Sequence, residues 1–73
     1  MKLPALKPKE VVRIMSKAGF REVRQAGSHR IFSHPDREQN VAVPIHNRDL
    51  KMGTLRGIIK QTGIKPEEFI RLR

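Results

Sequence analysis

The amino-acid sequence predicts an α+β domain in which one helix leads into three antiparallel strands and a second helix follows. Three observations carry this. Apolar residues recur at helical spacing in Val11, Val12, Met15 and Ala18, and again in Leu50, Leu55, Ile58, Ile59 and Thr62. Between them lie short strand-like runs joined by brief turn-forming segments, which argue for an antiparallel meander. The chain has 73 residues, enough for one domain and a small core.

The elements follow in order. Residues 1–6 are expected to be a flexible arm ahead of a single domain over 7–73. Pro8 suits a first helical turn, where its missing N–H is no loss. Gly19 is a left-handed stop, and residues 20–26 read as a strand whose Phe20 packs back on the helix. Ala26-Gly27-Ser28 supplies a turn, with Gly27 taking a positive φ cheaply. His29 to Ser33 forms the second strand, residues 34–40 a loop, and Val41-Ala42-Val43 a third strand ended by Pro44. Asn47 or Asp49 is the expected cap of the second helix, and Gly63 its end. Pro66, Glu67 and Glu68 open a short C-terminal helical turn that returns Phe69, Ile70 and Leu72 to the core.

Two amphipathic helices and one small sheet pack most economically with both helices on one sheet face. The other face is left open, an α-β-β-β-α layout shared with double-stranded RNA-binding domains.

The charge balance suggests what meets that face. Sixteen Lys and Arg stand against seven Asp and Glu, a net charge of +9. Such an excess favours a polyanion, whose neutralised phosphates release counterions. A patch matched to an acidic protein is the other reading. Lys9, Arg13 and Lys17 recur every four residues, either as an ordinary solvated helix face or as a phosphate-tracking stripe. No helix combines a wide apolar face with aromatic anchors, so no membrane partner is expected. The absence of cysteine removes disulfides and thiolate chemistry. With no signal-peptide pattern at Met1-Lys2-Leu3-Pro4 and no apolar run of roughly 20 residues, a cytoplasmic protein is expected.

Three histidines, His29, His34 and His46, are the candidates for chemistry. His29 and His34 fall on opposite faces of a continuous strand, and no carboxylate completes a ligand set, so neither metal nor cofactor is expected. Ser28 lacks the elbow and orienting acid of a nucleophile. His29 remains as the best-placed general acid or base, or as a polar residue that merely opens a strand. RNA suits so small a site because it carries its own nucleophile, the 2′-hydroxyl. A histidine could deprotonate that hydroxyl or protonate the leaving 5′-oxygen. Arg24, Arg30 and Ser28, around the same turn, are candidates for holding the phosphate. His34 reads as a hairpin residue and His46 as a loop residue.

Six short elements resemble the HicA-type (YcfA-like) toxins, the mRNA interferases of HicA–HicB toxin–antitoxin pairs. They are Gly19-Phe20, Gly27-Ser28-His29, Val43-Pro44-Ile45-His46, residues 53–61 (Gly-Thr-Leu-Arg-Gly-Ile-Ile-Lys-Gln), Gly63-Ile64 and Glu67-Glu68-Phe69. The likeness runs from about Lys7 to Leu72, and its strength lies in the order and spacing of the pieces. It implies a double-stranded-RNA-binding-like fold and ribosome-independent, metal-independent mRNA cleavage with His29 as the catalytic residue. It also implies a HicB-like antitoxin over the site, with operator DNA bound through the antitoxin. Many relatives carry a second histidine where this chain has Arg30, which leaves His46 as an accessory candidate. A non-catalytic RNA-binding module and a component devoted to protein partnering are the rival readings.

Alternation places His29 and Ile31 on one face of the strand, with Arg30 and Phe32 on the other. With His29 outward, Phe32 belongs to the core, Ile31 is expected to lie exposed, and Arg30 must reach round or sit at the edge. A bulge near Ser28 would change this parity.

Overall fold

The computed structural model describes residues 2–73. Its elements are α1 (Pro8–Lys17), β1 (Arg21–Ala26), β2 (His29–Ser33), β3 (Val41–Pro44), α2 (Met52–Thr62) and α3 (Pro66–Arg71). The predicted order is the observed one. α1 starts at Pro8, and the Lys7 N–H ahead of it donates to Glu10 Oε1 at 3.0 Å. That bond gives one free amide of the helix start a partner. Val11, Ile14 and Met15 are buried, while Val12 and Ala18 are half-buried at the margin. Ile14, absent from the periodicity argument, therefore belongs to the inward stripe.

The sheet has the order β1-β2-β3 and is antiparallel throughout. Gly27 has φ +60° and Ser28 a negative φ, the pattern of a two-residue II′ hairpin turn. Ala26 pairs with His29 across it. The one register shift lies between Glu22 and Arg24, so the bulge falls at Val23 on the edge strand and leaves β2 in regular alternation. Phe32, Val41 and Val43 consequently share one face with the buried side chains of both helices. α1 and α2 both pack on β3 from that side.

Two expectations are corrected here. Ile31 lies on the outward face, yet it is only 9% exposed. It occupies the middle of the central strand, with Arg24 and Ala42 as its partners on either side. Flanking strands thus shade it without any second layer. The second helix begins at Met52 behind Lys51, so neither Asn47 nor Asp49 caps it. Leu50 ahead of it is buried, and its N–H donates to the Leu6 carbonyl at 2.8 Å. Burying Leu50 delays the helix start past both polar candidates.

Leu6 and Leu3 are also built into the core, so the irregular segment over residues 2–6 is anchored by its apolar side chains. Met1 of the expected arm lies outside the described residues. At the other end Phe69 of α3 is fully buried, with Ile70 and Leu72 packed beside it.

His34 ties the sheet to α1. Its Nε2 donates to the Ala18 carbonyl at 3.2 Å, its Nδ1 accepts from the Asp36 N–H at 3.0 Å, and its ring tilts against Phe20 with centroids 4.9 Å apart. A Cβ on Gly19 would come within 3.0 Å of that Nε2, and Gly19 also has φ +98°, so Gly19-Phe20 and His34 form one interlocked corner. His34→Ala is expected to lower unfolding stability by about 1–3 kcal/mol, from missing hydrogen bonds and the unpaired groups left behind. Phe32→Ala is expected to cost about 3–5 kcal/mol by opening a core cavity. Urea denaturation followed by circular dichroism reads both.

Candidate functional site

β2 begins and β3 ends at the same edge of the sheet, because His29 pairs with Pro44. The chain then turns toward α2, with the Ile45 N–H donating to the Ser28 carbonyl at 2.7 Å. This turn walls off an open cleft of about 480 Å³ lined by His29, His46, Arg48, Asp49, Lys51 and Thr54, among others. His29 is exposed, and no hydrogen bond from the described residues engages its ring. Both ring nitrogens are therefore available to a bound molecule. Two of the six named side chains are permanent cations and one is an acid, so the lining suits an anion. The first turn of α2, which supplies Thr54 and follows Lys51, holds no acidic residue, and Lys51 makes no side-chain cap. The positive end of the helix therefore faces the cleft with no carboxylate of its own first turn.

A second recess of about 190 Å³ adjoins the first, since His46 lines both. Lys7, Lys9, Arg30 and Asn47 supply its polar groups, and Pro8 and Ile45 its apolar walls. Together the two recesses make a basic track that passes both histidines. A third recess, of about 420 Å³ between Leu3 and the α2–α3 junction, has cations in Arg56, Lys60 and Lys65 but no histidine.

The structure divides the residues singled out from the sequence. His29 and His46 come together on one cleft. Arg24 stays on the outward sheet face opposite Ile31, and Ser28 is exposed in the hairpin turn. Arg30 separates from His29, as strand alternation requires. It donates to Glu22 Oε1 through Nε at 2.9 Å and through Nη2, and its guanidinium stands 5.8 Å from the centre of the Phe32 ring. The expected pairing of Arg24 and Arg30 around one phosphate is therefore not found. Of the helical cations, Lys9 reaches the second recess, while Arg13 and Lys17 are exposed elsewhere on α1. Among the described residues no three His, Cys, Asp or Glu side chains gather as a metal site would need. No helix among them is long and apolar enough to cross a membrane.

A family model described as the HicA toxin of bacterial toxin-antitoxin matches residues 8–64. The chain belongs to the HicA toxin family. Its general role is that of the toxin in a toxin–antitoxin pair, with an antitoxin as partner. A search of curated proteins finds no match. The matched span holds α1 through α2, and with them both histidines and the whole lining of the first cleft, while α3 lies beyond it.

Arg48, Lys51 and Thr54 are the cleft residues that sequence reasoning missed. They follow His46 closely and two are cations, but nothing in a linear reading brings them to His29. The hydrogen bond between the Gly27-Ser28 turn and the start of the β3–α2 turn does so.

The Arg30–Glu22 pair carries its own pH signature. The Arg30 hydrogen bond, more than its charge, holds the Glu22 carboxyl below its ordinary 4.5, and the same bond raises the Arg30 guanidinium. A depressed carboxyl pKa stabilises the fold above the ordinary value, and the effect is lost as pH falls through the lowered one. The gap in urea midpoint between wild type and Glu22→Gln is expected at pH 7 and should close in acid. A gap that persists at low pH would assign it to packing.

Proposed function

We propose that this HicA toxin is a metal-independent endoribonuclease that cleaves mRNA in the cytoplasm, with His29 transferring the proton. A HicB-like antitoxin neutralises it, and operator DNA is engaged only through that complex. The observation that carries this reading is one cleft in which an uncommitted imidazole meets Arg48 and Lys51.

The chemistry needs little from the protein. His29 takes the proton of the RNA 2′-hydroxyl as that oxygen bonds to phosphorus. The bond from phosphorus to the 5′-oxygen breaks, the departing oxygen takes a proton from solvent water, and the His29 imidazolium returns its proton to solvent. The products are a 2′,3′-cyclic phosphate and a 5′-hydroxyl. Arg48 and Lys51 hold the phosphate and offset the charge that grows on it. Lys9 and Arg30 of the second recess, with the exposed Arg13, Lys17, Arg24 and Ser28, are the further groups available to the flanking strand. Acid–base help of this kind is worth roughly 10²–10⁴ in rate, which yields a modest nuclease.

Purified protein should cut single-stranded RNA in EDTA and leave 5′-hydroxyl ends, whereas His29→Ala should be at least about 10²-fold slower. Cleavage that survives the substitution removes His29 from the mechanism. RNA binding by wild type without cleavage favours a non-catalytic RNA-binding module. In cells, expression should arrest growth, with relief by His29→Ala or by the antitoxin. For binding, Arg48→Gln with Lys51→Gln should weaken RNA affinity at low salt. The slope of log affinity against log salt should flatten by about 0.7 for each phosphate of a single strand that is no longer neutralised.

A further inference from the structure

Two of the three histidines sit in the same local turn. In His34-Pro35-Asp36 the backbone N–H two residues on donates to the ring Nδ1 at 3.0 Å. In His46-Asn47-Arg48 the Arg48 N–H donates to the His46 Nδ1 at 3.2 Å. A nitrogen that accepts keeps its lone pair, so the neutral ring carries its proton on Nε2. A second proton on Nδ1 would set two N–H groups against each other and leave the backbone amide without its partner. The turn thus selects one tautomer of the neutral ring.

His34 shows what such a ring does with its remaining hydrogen: Nε2 donates to the Ala18 carbonyl at 3.2 Å. His46 differs at this one point. Its Nε2 has no hydrogen-bond partner among the described residues, its side chain is exposed, and it borders both basic recesses. His29 has neither nitrogen engaged, so the two histidines of the cleft are chemically unlike.

We propose that His46 is a pre-set hydrogen-bond donor whose Nε2–H binds a non-bridging oxygen of the scissile phosphate, leaving proton transfer to His29. This rests on the nuclease reading above and assigns the second histidine a role within it. With Nδ1 occupied by the Arg48 N–H, the ring presents its Nε2–H to the cleft. As a donor to an oxygen whose negative charge grows in the transition state it needs no reorganisation. Arg48 contributes twice, with its backbone setting the tautomer and its side chain adding charge to the same cleft. The other charged groups facing His46 are Asp49 and Lys51 in the first recess and Lys7, Lys9 and Arg30 in the second.

The tautomer can be read on the wild-type protein without RNA, from the ring ¹⁵N shifts and long-range ¹H–¹⁵N couplings at neutral pH. An Nε2–H ring for His46 is expected, and an Nδ1–H ring overturns the proposal whether or not the protein cuts RNA. On cleavage, His46→Ala should lower kcat by about 10²-fold or more, the scale for removing one donor to developing charge. His46→Gln, whose side-chain amide N–H can stand near the position of Nε2, should recover most of that activity. Both variants should keep the wild-type shape of the pH–rate profile. Gln as inactive as Ala, or a limb of the profile missing without His46, would make it a proton carrier instead. Full activity in His46→Ala would remove it from the reaction. A wild type inert toward RNA would sink the nuclease reading itself, a result distinct from all of these.

Discussion

The two-residue turn at Gly27-Ser28 is the constraint on which the rest of the structure depends. It sets Ala26 opposite His29, and from there the period of the pleat decides every side chain of β2. Phe32 goes to the core with Val41 and Val43, and His29 and Ile31 go outward. Slipping that register by one residue would expose Phe32 and turn His29 toward the helices. The bulge at Val23 does not disturb this, because it lies on the edge strand and is absorbed between Glu22 and Arg24. A glycine able to hold φ +60° therefore links the packing of the domain to the placement of its imidazole.

The same alternation sorts the cations. Arg30 follows His29 directly and for that reason faces away from it, where Glu22 and the Phe32 ring hold it. Residues far apart along the chain meet His29 instead: Arg48, Lys51 and Thr54, brought round by the turn after Pro44. Membership of the HicA toxin family makes a toxin of this basic protein, and under the proposed reading its cleft holds the few groups that RNA cleavage needs. RNA brings its own nucleophile, so a mobile proton and a few fixed positive charges suffice.

The three histidines show how a backbone can give one residue type three hydrogen-bonding environments. His34 has both nitrogens tied and serves as a corner clamp. His46 has one tied and one open. His29 has both open. Nothing in their sequence neighbourhoods announces this difference, since it depends on which amide falls within reach of which nitrogen.

Much of the fold was nevertheless legible in one dimension. The spacing of Val11 and Met15, the β-prone run from His29 to Ser33, and the stops at Gly19 and Gly63 located helix, strand and helix, because these signals are local. The start of α2 was misplaced because the burial of Leu50 and its bond to Leu6 outweighed two good capping residues. Burial of Ile31 was missed because shading by two flanking strands is a property of the assembled sheet. By itself the sequence determined the order of elements, the basic surface, the family and His29 as the candidate for chemistry, all carried by residue identity and short-range periodicity. Only the tertiary structure decided that His46, Arg48 and Lys51 share the cleft of His29 while Arg30 does not. Neighbours across a sheet are chosen by register and chain reversal, which act over distances that no local pattern encodes.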